Sequence, residues 1–119
     1  MTSQNPFDPQ DFLTLADNLA NNPAGDQATY RSALSRAYYA VFLVARESLT
    51  TKGMISPSSS ASDHGLVIRT LRSLNRQVGD QLDKLRRKRN RADYVLTTQV
   101  SQAEALQTVA TANALRTQL

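Results

Sequence analysis

KLRRKRNRADYVL, residues Lys84 to Leu96, is the stretch that decides how this chain folds. Six of the eight residues from Lys84 to Arg91 are basic, a run that by itself describes a solvated helical face. The flanking apolar residues say more. Val78, Leu82, Leu85, Ala92 and Leu96 recur at steps of four, three, seven and four, the spacing of one helical stripe. A member is missing between 85 and 92, and Arg89 takes the place. A guanidinium on a buried seam needs a partner, because an unpaired charge withdrawn from water is costly. Asp93, four residues on, lies within side-chain reach along a helix, although the acid normally precedes the base where the pair merely supports a helix. Spacing leaves two readings open. Arg89 and Asp93 are a buried structural pair, or they are polar members of a site at the mouth of a groove.

With 119 residues the chain suffices for one domain, 1–119, with a single core. Residues 1–8 read as a flexible N-terminus. Cysteine is absent, which excludes a disulfide framework, a thiolate metal site and a thiol nucleophile. The opening MTSQNPFDPQ lacks the basic and apolar regions of a signal peptide. No apolar run approaches the roughly 20 residues that span a bilayer. These features predict a soluble cytoplasmic protein with no membrane association. The net charge of +4 is unevenly placed: of 14 basic and 10 acidic residues, nine bases and two acids fall between Arg69 and Arg91. A basic segment on an otherwise acidic body suits a polyanion or an acidic protein partner.

The periodicity predicts an all-α, up-and-down bundle of four long helices plus one short helix. Asp8-Pro9 opens the first, whose apolar face is Phe12, Leu15, Ala16 and Leu19, and Asn21 to Gly25 stops it. The second runs from about Gln27 to Thr51 behind Asp26 as cap, with Leu34, Ala37, Tyr38, Val41, Phe42, Ala45 and Leu49 as its stripe. Residues 52–62 form a polar, mobile loop with Gly53, Pro57 and a serine run. Ser62 or Asp63 caps a third helix through about Asn75, with Leu66, Val67, Leu71 and Leu74 facing inward. The helix carrying the basic run starts between Gln77 and Asp80 and ends near Thr97-Thr98. Ser101-Gln-Ala-Glu104 is a capping box, and behind it Leu106, Val109, Ala110 and Asn113 face the core.

His64 is the only histidine, so a histidine-rich zinc site is unavailable and no metal is expected. No glycine-rich phosphate cradle occurs, and no cofactor is implied. Ser58, His64 and Asp63 could be drawn as a triad, but neighbours in sequence do not have triad geometry. Arg36 to Phe42, RAYYAVF, packs three aromatic rings and an arginine into two helical turns. Tyr38 and Phe42 lie on the core stripe, whereas Arg36 and Tyr39 point to its flanks, where they border a groove or a second subunit.

SRAYYAVF (Ser35 to Phe42), the break at Lys52-Gly53, Asp63-His64-Gly65-Leu66-Val67 and Arg89-Asn90-Arg91-Ala92-Asp93-Tyr94 stand in the order found in small prokaryotic HEPN-domain proteins. Over roughly residues 30 to 115 the chain resembles that family. The resemblance implies a four- or five-helix bundle that pairs with a second copy. It also implies kinship with metal-independent ribonucleases whose R-x(4–6)-H motif lines a cleft at the dimer interface. Many such proteins are toxins encoded beside a nucleotidyltransferase antitoxin or act in antiviral defence, and others act as binding or scaffolding modules. This chain departs from the motif: counted from Arg86 or Arg87, the histidine position falls on Ala92 or Asp93. Beside Arg89, Asp93 is expected to stay ionised and to be a poor base near neutral pH. His64 returns to the same cleft, or it makes a capping or buried polar contact at the start of its helix.

Three functions follow as expectations. A homodimer binds RNA or a nucleotidyltransferase-type partner without efficient cleavage, with Arg86, Arg87, Lys88 and Arg91 on phosphates and Arg89, Asp93 and Tyr94 shaping the cleft. Asn90, Arg36 and Tyr39 are further RNA- or partner-binding residues. An active ribonuclease uses Arg89, Asp93 and His64. A non-catalytic structural subunit docks its basic helix on an acidic partner of the nucleotidyltransferase-antitoxin kind.

Overall fold

The computed structural model describes residues 5–58 and 60–119, and those residues contain five α-helices and no strand. They are α1 (Gln10–Ala20), α2 (Gln27–Thr51), α3 (Ser62–Leu74), α4 (Arg76–Tyr94) and α5 (Gln102–Arg116). Part of the N-terminus expected to be flexible, residues 1–4, lies outside the described residues, as does position 59 in the serine run.

The 25-residue α2 is the column of the bundle and touches every other helix. At about 1.5 Å per residue it runs about 37 Å, against a longest molecular dimension of 43 Å. Asp26 caps it, its Oδ1 accepting from the Thr29 amide at 2.8 Å. All seven residues of the expected stripe are buried. Ala33 and Ala40 are buried too, and with Ala37 and Ala45 of the stripe these small side chains let the neighbouring helices approach closely.

The inner faces of the shorter helices differ from expectation. On α1 the buried leucine is Leu13, whereas Leu15 is exposed. At about 100° per residue, Leu13 points within about 60° of the buried Ala16 and Ala20, whereas Leu15 is turned about 100° or more from both. Asp8 acts as expected, accepting from the Gln10 amide at 2.9 Å. Phe7 packs on Phe12 with ring centroids 4.6 Å apart. On α3, Val67, Ile68 and Leu71 are buried, while Leu66 is half-buried and Leu74, at the helix end, is exposed. On α5 the buried set is Ala105, Thr108, Val109, Ala112 and Leu115; Leu106, Ala110 and Asn113 face outward. Alanines on every side of α5 leave its sequence weakly amphipathic, so contact with α1 and α2 chooses the face.

The helix ends also differ. Ala61, which carries no capping group, precedes α3, and the Asp63 carboxylate turns back instead to the loop. It accepts from the Ser58 amide at 3.1 Å and hydroxyl at 2.7 Å and pairs with Arg46 at 3.6 Å. Ile55 is buried, so this loop is tied to the core at two points. Asn75 closes α3 and caps α4, its Oδ1 accepting from the amides of Gln77 and Val78 at 3.1 and 3.3 Å. Gly79 is buried against α3, where a Cβ would stand 2.8 Å from the Arg72 backbone nitrogen. Only glycine allows this approach. Helix α4 stops at Tyr94, short of Thr97, so Leu96 leaves the stripe and is 90% exposed.

Arg31 on α2 holds the chain at that early stop. Its Nη1 donates to the carbonyls of Ala92 and Val95 at 2.9 and 3.0 Å, and its Nη2 to those of Leu96, at 3.3 Å, and Thr98. One guanidinium thus satisfies carbonyls that a helix terminus leaves free and turns the chain toward α5. Gln27 extends the clasp by exchanging two hydrogen bonds of 2.8 Å with the backbone of Val100. The Ser101 hydroxyl accepts from the Glu104 amide at 3.1 Å, one half of the capping box, whereas the Glu104 carboxylate turns to Lys88 and Arg91. No helix among the described residues is long and apolar enough to cross a membrane.

Candidate functional site

Arg89 is 6% exposed, buried as the stripe on α4 requires. Its Cζ lies 5.3 Å from the ring centroid of Tyr38, 5.2 Å from that of Tyr39 and 5.9 Å from that of Tyr94. Ring faces attract a cation and replace part of its lost hydration. Its nearest carboxylate oxygen is Asp93 Oδ2, 3.9 Å from Nη1, an ion pair longer than a hydrogen bond. That same oxygen accepts from the buried Ser35 hydroxyl at 3.1 Å. The Asp93 side chain is 29% exposed, so the pair sits where the buried seam opens to solvent. Arg89 Nε is buried without a hydrogen-bond partner.

Three helices meet here. From α2 come Tyr38, Tyr39 and Phe42; from α3, near its start, comes His64; from α4 come Arg86, Arg89 and Asp93. His64 stacks on Phe42 with centroids 4.3 Å apart and meets the rings of Tyr38 and Tyr39 at 5.6 and 5.9 Å. Its Nδ1 lies 2.6 Å from the Tyr38 hydroxyl. Burial pushes the Tyr38 hydroxyl far above the usual tyrosine range, against the opposing pull of Arg86 and Arg89. Burial, and then the charges of Arg86 and Arg89, push His64 below its ordinary value. The imidazole is therefore neutral near pH 7 and the phenol keeps its proton.

Arg86 has no ion pair among the described residues, and its Nε is buried without a partner. Arg36 packs its guanidinium 4.8 Å from the Phe12 ring and 5.3 Å from that of Tyr39, bordering the cluster as its flank position suggested. Tyr94 is 72% exposed at the rim.

The rest of the basic run is directed elsewhere. Arg87 pairs with Asp83 at 2.8 Å, Lys88 with Glu104 at 3.6 Å, and Arg91 with the same Glu104. Helical geometry turns Lys88 and Arg91 toward α5, so the six bases do not form one surface. Asn90 is half-buried and makes no hydrogen bond through its side chain among the described residues. Ser58 and Asp63 bond one another, but His64 is engaged with Tyr38, so no triad forms from the three. No cluster of residues suited to a metal occurs among the described residues. Ser35 and Arg31 are functional-site and helix-end residues that sequence reasoning does not reach. Their partners lie 58 and at least 61 positions away, and no local pattern marks them.

The HEPN domain family model matches residues 10–118, which includes all five helices. The chain belongs to the HEPN family. No curated protein is similar enough to be matched with it. Within this HEPN bundle the segments RAYYAVF and RNRADY, far apart in sequence, face one another across α2 and α4. The histidine that the ribonuclease motif would carry on α4 is absent, and the histidine beside Arg89 comes from α3.

Proposed function

We propose that this HEPN protein binds RNA through the Arg86–Arg89 face of α4, without efficient cleavage, as a cytoplasmic homodimer in a toxin–antitoxin or defence system. One observation carries the reading: two guanidinia stand beside Tyr38, Tyr39 and His64, and the one ion pair they form among the described residues is the 3.9 Å contact of Arg89 with Asp93. Under-neutralised arginines suit phosphodiesters, and the faces of Tyr39 and Tyr94 suit stacked bases.

The proton arrangement supports binding over cleavage. The fully buried Tyr38 hydroxyl has no acceptor other than His64 Nδ1 among the described residues. It therefore donates to Nδ1, and the neutral ring carries its own proton on Nε2. A base that removes the ribose 2′-hydroxyl proton needs a lone pair at the outer nitrogen. His64 presents an N–H there, which is a phosphate donor. Asp93 Oδ2 is already shared by Ser35 and Arg89.

Fluorescence anisotropy with single-stranded RNA between about 50 and 200 mM salt tests the proposal. Affinity should fall steeply with salt, and Arg86→Ala should weaken it about tenfold. Absent binding at low salt, or binding flat with salt, overturns it. RNA cleavage lost in His64→Ala would replace binding alone with the ribonuclease reading. A monomer by light scattering at micromolar concentration would remove the dimer.

Tyr94, Val95 and Leu96, exposed in succession beside the basic helix, favour a second function: docking on an acidic partner of nucleotidyltransferase type. Co-purification with such a protein, with no affinity for RNA, would select it.

A further inference from the structure

We infer that a groove between α4 and α5, walled by lysine, glutamine and threonine side chains, is a separate ligand site for the terminal phosphate of a small, hydroxyl-rich molecule such as a sugar phosphate. The groove has a volume of about 310 Å³, at the lower end of the range for small-molecule sites. Lys84 and Lys88, four residues apart on α4, stand on one wall, with Gln107, Thr108 and Thr111 of α5 opposite and Leu85 beneath. This face of α4 is turned away from Arg86 and Arg89, so the inference does not rest on RNA binding.

The local charge is positive. Lys88 Nζ lies 3.6 Å from Glu104 Oε2 and 3.4 Å from the Thr108 hydroxyl, but Arg91 bonds the same Glu104 oxygen. One carboxylate between two cations leaves positive charge at the groove. Lys84 has no ion pair among the described residues, and Asp80, one turn before it, is held by Arg72 at 2.8 Å and Arg76 at 3.8 Å. The side chains of Gln107 and Thr111 make no hydrogen bond among the described residues. Two ammonium groups suit a terminal phosphate, which carries close to two charges near neutral pH. The free amide and hydroxyl suit sugar hydroxyls. No aromatic ring lines the groove and Leu85 is its only apolar side chain, so nothing there stacks a nucleobase.

NMR titration of the full chain with ribose 5-phosphate, and with ribose alone, tests the site. Ribose 5-phosphate should shift the amides of residues 81–88 and 107–111, and ribose should not. Lys84→Gln should weaken binding about tenfold with helical content unchanged. Thr111→Val, which keeps shape and charge, should weaken it by a smaller factor. The inference is overturned by equal responses to the two ligands, or by no response in the groove at millimolar ribose 5-phosphate. Equally fatal is displacement of ribose 5-phosphate by an oligoribonucleotide lacking a terminal phosphate, since the groove would then belong to an RNA track.

Discussion

The Tyr38 hydroxyl on α2 stands 2.6 Å from His64 Nδ1 on α3, and both rings pack on Phe42. Because burial holds the proton on Tyr38, the hydrogen bond fixes the imidazole tautomer with its proton on Nε2. Imidazole ¹⁵N shifts should report that single tautomer in the native protein and a mixture in Tyr38→Phe. The variant should also lose about 1 kcal/mol of stability, the net value of one hydrogen bond. A native ring protonated on Nδ1 would restore His64 as a base.

Acid should destabilise the fold through the same ring. His64 binds its proton less readily in the folded chain than an ordinary histidine, whose pKa is about 6.5, through burial first and then Arg86 and Arg89. The unfolded state thus holds more protons as the pH falls below about 6.5. The stability contributed by His64 is full above that value and is lost on descending toward the lower folded pKa. Chemical denaturation across this window should show the slope in the native chain and a shallower one in His64→Gln. Identical slopes would contradict the environment described.

Arg89 separates stability from binding. Its charge is buried with a long ion pair and an unpartnered Nε, offset in part by three rings. Arg89→Met, which fills similar volume without the charge, should stay within about 1 kcal/mol of the native stability. Arg89→Ala, which opens a cavity, should cost about 2–4 kcal/mol. Both should weaken RNA binding about tenfold or more. Native affinity in Arg89→Met would remove this side chain from the binding site.

Arg31 holds the end of α4 from a distance. Arg31→Met should cost about 2–3 kcal/mol, since several carbonyls lose a charged donor at once. Exchange at the amides of Val95 and Thr98, which bond within this turn, should rise with it. Unchanged exchange would mean that the turn stands without the clasp.

Local chemistry made much of this legible. Asp26 and Ser101 cap the helices they precede because a side-chain oxygen two or three residues from free amides acts within one turn. Periodicity over 25 residues fixed the face of α2, and the gap in the α4 stripe marked Arg89 as buried. The faces of α1, α3 and α5 are less legible, because Leu15, Leu74 and Leu106 are apolar residues that packing leaves exposed.

From the order of its residues alone the chain specifies helices, caps and a buried cation, all properties of neighbours within a turn or two. Tertiary packing decides the rest. It brings Tyr38 to His64 across 26 positions, Ser35 to Asp93 across 58 and Arg31 to the end of α4 across 61. It also turns Lys88 and Arg91 toward Glu104 and leaves Arg86 without an ion pair among the described residues. Charge counted along a sequence is a sum, whereas the charge a ligand meets depends on which acids the fold places beside each base.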